Sequence, residues 1–263
     1  MDRAYDDVRF LARSTNRAAV LAGVRDGPVT RDELLAGVDA SRVTLRRILG
    51  ELTDRGWVER GPEGFEATTR GTVVAAEFER LVDAMRATHR LEGVLEWLPT
   101  DALEFDLGRL ADAEVTRPDV SGAIAPVARV DELIREADEA TVVSAGISAS
   151  TVAANRDAVV EGGQRFEGVI PEAARRIVEE SPEVAAAMRE MLASGRAELS
   201  VTEEPVPEMM MAILDERVVF GLLGDGLPRG VVETEDEAVR GWARTFFERH
   251  RAAAEPLTAD AFE

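Results

Sequence analysis

The sequence contains no cysteine and only two histidines, His89 and His250. The absence of cysteine excludes disulfides and thiolate metal sites, and two histidines so far apart argue against a histidine-rich metal centre. No apolar run approaches the roughly 20 residues that cross a bilayer. The N-terminus, MDRAYDDVRF, lacks the basic and apolar regions of a secretory signal. The sequence therefore predicts a cytoplasmic protein with no metal site, no cofactor and no membrane-spanning segment.

Lysine is also absent, so all 31 basic residues are arginine, against 51 aspartates and glutamates and a formal net charge of -20. Such a composition is typical of proteins from organisms with molar cytoplasmic salt, where negative charge favours solubility and its self-repulsion is screened. A GC-rich codon bias would also deplete lysine. It would not produce the excess of carboxylates, so we favour the interpretation as a halophilic protein.

The negative charge is unevenly distributed along the 263 residues, which are enough for one large domain or two ordinary ones. Residues 1–70 contain 12 arginines and 12 acidic residues, so their formal charges cancel, and the whole net charge of -20 lies in the remainder. This asymmetry is what a nucleic-acid-binding domain joined to an acidic domain would show.

Three helix starts are predicted in this charge-balanced segment. Ser14 is a candidate N-cap, Thr30 and Glu33 have the spacing of a capping box, and Ser41 is a further candidate N-cap. The helix after Ser41 has a buried face of apolar residues spaced i, i+3, i+4 and i+7, namely Leu45, Ile48, Leu49 and Leu52. Two helices joined by a tight turn, the second with arginines on its exposed face, predict a helix-turn-helix.

The segment GWVERGPEGFEATTRG follows the third helix. Trp57-Val58 reads as a strand, residues 61–64 as a turn, and residues 65–68 as the returning strand. This predicted β-hairpin completes a pattern that resembles the winged-helix domain of bacterial and archaeal transcription regulators. We assign residues 1–70 to this domain, and the resemblance implies that it binds double-stranded DNA.

The predicted DNA contacts lie on the third helix and the wing. This third helix is the second helix of the helix-turn-helix, the one that fits the major groove of DNA. There, arginine can bind guanine bidentately and a helix N-terminus can bind phosphate. The candidate DNA-binding residues are Ser41, Arg42, Thr44, Arg46, Arg47 and Arg60. A structural alternative stays open, because winged helices also serve as protein-interaction modules and surface arginines often only pair with neighbours such as Glu51 or Asp54.

Residues 71–98 are predicted to form a connector helix with apolar residues every three to four positions, ending before Pro99. A long helix after a wing often forms a dimer seam, so we expect a homodimer whose two DNA-binding domains lie about one turn of DNA apart. The alternative is that this helix packs only within its own chain.

Residues 105–263 read as strands alternating with helices, which predicts an α/β domain with a largely parallel sheet and an antiparallel part near the C-terminus. The domain resembles the effector, or middle, domain of archaeal regulators related to the methanogenesis and filamentation regulator, and more distantly TrmB-type regulators. The stretches that carry the resemblance are VVSAGISAS, RFEGVIPE, SGRAELSV, DERVVFGLL and AVRGWARTFFERHR. It implies a regulator controlled by a ligand or a partner, so the C-terminal domain is expected to bind either a small-molecule effector or another protein.

The turn SAGISAS follows a predicted strand and opens a helix, where backbone N–H groups could hold an anion or a polar ligand. Ser144, Gly146 and Ser148 are therefore candidate ligand-binding residues, with plain helix capping as the alternative for Ser148. Met209–Met211 could line a cavity or pack in a core. The phospholipase D fold, to which such domains are likened, needs a His-x-Lys pair for catalysis. This chain has no lysine, so that reaction is excluded. No pair of carboxylates stands out from the acidic background either, so we name no catalytic residue and predict no enzyme.

The sequence thus predicts an α/β protein overall: a winged helix-turn-helix, a connector helix and an α/β effector domain with a mixed sheet. The predicted function is a sequence-specific transcription regulator. The alternative is a winged-helix adaptor that binds protein rather than DNA.

Overall fold

The chain divides within one long helix into two units, residues 1–83 and residues 84–263. These units were analysed in a computed structural model, which describes residues 2–118, 124–224 and 227–262. The predicted class is confirmed: the first unit is mainly helical with a two-stranded hairpin, and the second is an α/β domain with a mixed sheet.

The first unit has the element order of a winged helix. Its elements are α1 (Arg3–Ala12), α2 (Thr15–Gly23), α3 (Arg31–Ala36), α4 (Arg42–Asp54), β1 (Val58–Arg60), β2 (Phe65–Ala67) and the start of α5 (Thr69–Arg90). Strands β1 and β2 pair antiparallel, as a hairpin requires. The sequence analysis did not predict α1, and it began the first strand one residue early, at Trp57.

Two of the three predicted helix caps are present. Thr30 and Glu33 form a reciprocal capping box before α3, and the Ser41 hydroxyl accepts a hydrogen bond from the Thr44 N–H at 3.1 Å at the start of α4. The prediction for Ser14 was wrong in one respect: it occupies the N-cap position of α2 with an extended backbone, but its side chain makes no capping hydrogen bond.

Helix α5 ends at Arg90, eight residues before the predicted end of the connector helix. The chain turns at Gly93, whose φ of 79° is accessible to glycine at little cost, and continues as a short 3-10 helix over Leu95–Trp97. Leu91 and Leu98, which were expected to continue an apolar seam, are instead buried in the core of the second unit. The apolar spacing continues beyond Arg90 because these residues are needed for the core, and not because the helix continues.

The second unit is one large β-sheet with helices packed on both of its faces. Its strands are β3 (Glu114–Thr116), β4 (Glu139–Ser144), β5 (Arg165–Pro171), β6 (Ala197–Thr202), β7 (Met209–Leu214), β8 (Arg217–Gly224), β9 (Leu227–Thr234) and β10 (Ala254–Leu257). Its helices after α5 are α6 (Ile124–Glu136), α7 (Ala149–Arg156), α8 (Glu172–Glu180), α9 (Pro182–Ala193) and α10 (Glu237–Ala252). The sequence analysis did not predict β3, α6 or β10.

The strand order in the sheet is β10-β6-β5-β4-β7-β8-β9-β3. Only β4 with β5 and β5 with β6 pair in parallel, while the other pairings between described strands are antiparallel. The prediction of a largely parallel sheet was therefore wrong. Helices connect β4, β5 and β6 and allow parallel pairing, whereas only Asp215 and Glu216 join β7 to β8, which requires these two strands to run antiparallel.

The two faces of the sheet carry separate cores. Helices α6, α7, α8 and α9 cover one face, and α10 with residues 91–110 covers the other. Alternation along β7 shows the division, because Met209 and Met211 pack in the core under α10 while Met210 packs on the α6–α9 side.

Candidate nucleic-acid interface and ligand cavity

Helix α4 presents one apolar face to the core and one basic face to solvent. Leu45, Ile48, Leu49 and Leu52 are at most 2% exposed, as the periodicity of the sequence predicts. The opposite face exposes Arg42, Val43, Arg46 and Arg47. Within the first unit, the three predicted arginines therefore lie together on one exposed helix face.

The three arginines differ in their local partners. Arg42 pairs with Asp32 at 3.2 Å, and both side chains are more than three-quarters exposed. Arg47 pairs with Glu51 at 2.6 Å. Arg46 is exposed and makes no hydrogen bond or ion pair with any residue that the structure describes. Exposed ion pairs contribute little stability, so Arg42 and Arg47 can exchange their carboxylates for phosphates or bases at low cost.

The base of this face is held by Phe10 of α1. The guanidinium groups of Arg17 and Arg55 lie 4.0 Å and 3.7 Å from the centroid of the Phe10 ring, which are cation–π distances. Arg17 also donates to Glu51 at 3.0 Å, and Glu51 in turn binds Arg47. Helix α1 therefore orients Glu51, which holds Arg47 on the exposed side of α4.

Ser41 and Thr44 are the two hydroxyl residues of the predicted interface. Their hydroxyl groups lie 2.9 Å apart, and Ser41 caps the helix N-terminus. Ser41 is exposed and Thr44 is half-buried. Both side chains therefore serve the cap, and their position at the first turn of α4 leaves them beside Arg42.

The wing is acidic. Arg60 is exposed, and its guanidinium lies 6.0 Å from the Phe65 ring centroid. Glu59 and Glu66 are directly opposite across β1 and β2, and Glu63 is exposed in the turn between them. Three carboxylates and one arginine make the hairpin a poor phosphate ligand, because like charges repel a polyanion.

Replacing these three wing glutamates by glutamine is expected to tighten binding to duplex DNA roughly 10-fold at 0.1 M salt, because three repulsive charges near the phosphates are removed. Electrophoretic mobility shift or anisotropy titrations would measure the change. The same number of Glu-to-Gln changes in the second unit, at the exposed residues Glu180, Glu203 and Glu255, is the control. An equal gain in the control would assign the effect to net charge and not to the wing.

The second unit contains a cavity of about 370 Å³ between the sheet and helices α6 to α9. Its sheet side includes a row formed by Gly168, Val142 and Ala212 on three neighbouring strands. The ring of Phe166 fills the space beside Gly168. The cavity volume lies in the usual range for small-molecule sites.

All three predicted ligand residues line this cavity. Ser144 is at the end of β4 and donates to the carbonyl of Gly146 at 2.7 Å, which closes the turn. Ser148 is exposed and caps α7 by accepting from the Thr151 N–H at 3.2 Å. The alternative role of Ser148 as a helix cap is therefore present in the structure. The three residues lie together at the wall of a cavity.

A buried carboxylate lies behind the cavity wall. Asp131 of α6 is 8% exposed and accepts a hydrogen bond from the Thr151 hydroxyl at 3.2 Å. Burial raises the pKa of Asp131, and the hydrogen bond from Thr151 opposes this effect.

Because the folded chain holds the Asp131 proton more tightly than the unfolded chain, this carboxylate lowers stability as the pH rises from about 4 through its raised pKa. We expect Asp131→Asn to be more stable than the native chain at pH 7 and equally stable below about pH 4. Urea unfolding from pH 4 to 7 measures the difference, with Asp112→Asn at an exposed carboxylate as control. A pH-independent difference would contradict the assignment.

Several functional candidates were missed by sequence reasoning. Val43 is 80% exposed on the interface face of α4, and its apolar character in that position was the available signal. Asn155 lines the cavity and is 8% exposed, but a single asparagine in a predicted helix carries no signal of burial. The methionine run was a candidate for lining a cavity or packing in a core, and it does both: Met210 lines the cavity, while Met209 and Met211 pack in the core on the other face of the sheet.

Across residues 2–118, 124–224 and 227–262, no group of three or more histidines, aspartates or glutamates is arranged to hold a metal ion. Within the same ranges, no helix has the length and apolar character needed to cross a bilayer.

Among solved structures, the archaeal chromatin protein TrmBL2 is similar over 95% of this chain and 98% of its own, at 17% identity and a TM-score of 0.41. The phospholipase D family member Nuc from Salmonella typhimurium is similar over 56% of this chain and 99% of its own, at 14% identity and a TM-score of 0.44. No curated protein sequence matches the chain.

Two family models match the two parts of the sequence. Residues 5–90 match the HVO_A0261 N-terminal domain. Residues 124–253 match the middle domain of the methanogenesis regulatory protein FilR1. The chain therefore carries two known domain types in order, an HVO_A0261-type N-terminal domain and a FilR1-type middle domain.

Proposed function

We propose that this chain regulates transcription by binding specific double-stranded DNA sequences through helix α4, as a cytoplasmic homodimer controlled by a small molecule in its C-terminal domain. The observation that carries the proposal is the exposed cluster of Arg42, Arg46 and Arg47 on the helix that follows the tight turn. Arginine at these positions can bind guanine edges and phosphates once the helix enters the major groove.

Direct readout fits the composition of this face better than attraction by net charge. The first 70 residues are formally neutral, so counterion release alone would give weak binding, particularly in high salt. Arg46 has no competing partner among the described residues, and Val43 beside it offers an apolar contact for a thymine methyl group. The acidic wing and the acidic second unit would then suppress non-specific binding.

The homodimer is proposed from helix α5. Val73, Leu81 and Met85 are 58%, 42% and 55% exposed on one helix. Leu81 and Met85 lie four residues apart and are neighbours on the helix surface, while Val73 lies just over two turns before Leu81. A second copy of α5 would cover the three side chains and provide the two-fold symmetry that palindromic half-sites require.

A protein-interaction adaptor is the second candidate function. The observation in its favour is the charge of the wing, where Glu59, Glu63 and Glu66 outnumber Arg60. Such a hairpin would suit a basic protein surface better than a phosphate backbone.

The proposal is tested by selecting bound sequences from random duplex DNA with the full-length protein in molar KCl, followed by sequencing. A palindromic motif with half-sites about one helical turn apart supports a dimeric regulator. Failure to retain any DNA, together with capture of a basic protein, would favour the adaptor. Sedimentation analysis of the free protein separately tests the dimer. A variant with Val73→Ser, Leu81→Ser and Met85→Ser should sediment as a monomer. If the variant and the native chain sediment identically, the dimer contact through α5 is refuted.

A further inference from the structure

The cavity of the second unit has a lining whose chemistry excludes most anionic metabolites. Although the chain contains 31 arginines, the described residues that line the cavity include no arginine. Their only charged member is Glu208. Most of the lining is aliphatic, from both the helices and the sheet. An anion would enter a mostly aliphatic space whose described lining offers it no cationic side chain.

The cavity is apolar because of its position between layers. Its helix side is supplied by α6, α7, α8 and α9 and its floor by β4 to β9. The second row of the floor is formed by Ser144, Met210 and Gly221. Met210 adapts its shape to different occupants, as methionine does at variable binding surfaces.

One polar group of the wall lacks its hydrogen bond. The Asn155 amide nitrogen donates to the carbonyl oxygen of Thr151 at 2.9 Å. This bond fixes the amide orientation, because a carbonyl can only accept, and the Asn155 Oδ1 is left as an acceptor. Oδ1 is buried without a partner among the described residues. A buried acceptor without a partner costs free energy that a donor group can recover.

We propose that the cavity binds a mainly apolar, non-anionic small molecule whose hydroxyl, amine or amide N–H donates a hydrogen bond to Asn155 Oδ1. This proposal adds the chemical class of the effector to the proposed function. The effect of the ligand on transcription rests on that function, whereas the binding of the ligand does not. Oδ1 has almost no accessible surface, so the proposed hydrogen bond requires the Asn155 side chain to turn towards the bound donor. Asn155 belongs to α7, whose N-terminus is capped by Ser148, so the turn links the cavity to this helix.

Three naphthalene compounds of the same skeleton test this chemistry: 2-naphthol donates a hydrogen bond, 2-methoxynaphthalene cannot, and 2-naphthoate is anionic. Calorimetric titration of the full-length protein measures each affinity. We expect 2-naphthol to bind roughly 5- to 10-fold more tightly than the methyl ether, the value of about one hydrogen bond. We expect no measurable binding of 2-naphthoate. Tightest binding by the carboxylate, or no binding by any of the three, would overturn the proposal.

Two variants locate the binding. Asn155→Leu keeps the branched shape and the number of heavy atoms and removes the unpaired oxygen, together with the amide hydrogen bond to Thr151, so the protein should stay folded and bind 2-naphthol and its methyl ether equally. Val142→Phe adds volume into the existing space and should weaken both compounds at least 10-fold. Gln164→Leu, which removes another unpaired buried oxygen outside the cavity lining, is the control.

Retention of the naphthol preference in Asn155→Leu would refute the role of Asn155, and unchanged binding by Val142→Phe would place the compounds elsewhere. Binding of the selected DNA by the native protein is measured in parallel. If the native protein does not bind this DNA, the proposed function is refuted, while the assignment of the cavity chemistry still stands.

Discussion

Replacing Arg42, Arg46 and Arg47 together by alanine is expected to weaken binding to the selected DNA site at least 100-fold, as measured by anisotropy titration. Loss of an arginine contact to a base or phosphate typically costs about 1–3 kcal/mol, and each factor of ten corresponds to 1.4 kcal/mol. All three residues are exposed, and alanine favours helix, so the fold of α4 should be preserved.

The single variants should not be equal. Arg46 has no ion pair with a described residue, whereas Arg42 and Arg47 must first leave Asp32 and Glu51. Arg46→Ala is therefore expected to produce the largest single loss.

The matched control removes the same charge from α1, with alanine at the exposed residues Arg3, Arg9 and Arg13. It should weaken binding much less, because only the general electrostatic contribution changes. Comparable losses in both triple variants would show that the α4 face is not the DNA-reading surface. Circular dichroism and thermal unfolding confirm that both proteins remain folded.

Arg129→Ala is expected to destabilise the second unit by about 3 kcal/mol in urea unfolding, because it leaves a buried carboxylate short of a partner. Glu233 of β9 is 3% exposed and accepts from Arg129 of α6 through both oxygens, at 2.8 Å and 2.9 Å. Arg217 donates to the same carboxylate at 3.2 Å and limits the loss. The carboxylates of Glu233 and Glu132 raise the pKa of Arg129, so it stays charged.

Arg156→Ala is the control, since Arg156 contacts three carboxylates, against two for Arg129, but on the surface, with Asp157, Glu161 and Glu190 all at least half exposed. Its loss should stay near 1 kcal/mol or less. The double variant Arg129→Ala, Glu233→Gln should recover part of the stability, because the buried negative charge that lost its partner is also removed. Equal losses in Arg129→Ala and the control, or no recovery, would mean that the loss comes from packing.

Features encoded locally could be predicted from the sequence. The capping box of Thr30 and Glu33, the cap at Ser41 and the apolar stripe of α4 depend on residues within four positions of one another, and all are present. The exposed arginines followed from the same stripe, because burying one helix face exposes the opposite one. For the same reason, Ser144, Gly146 and Ser148 could be placed together after one strand.

Features that depend on distant residues could not be predicted. Glu233 reads as one more carboxylate in an acidic chain, and only its pairing with Arg129, 104 residues away, explains its burial. Asn155 likewise acquires meaning only beside a cavity formed by several strands. The sheet direction was misjudged because alternation of strands and helices holds for β4 to β6 and fails after β7. The end of α5 was misplaced because Leu91 and Leu98 continue the helical spacing of apolar residues although they lie beyond the helix.

The sheet of the second unit ends in two short strands whose outer edges oppose further growth. At one end, β10 has four residues and includes Pro256, which has no N–H to offer a neighbour. At the other end, β3 has three residues and begins with the exposed carboxylate of Glu114. Short, charged or proline-bearing borders prevent strand addition between molecules. Copies of this domain are therefore protected from joining into continuous ribbons, even when a crowded cell brings many of them together.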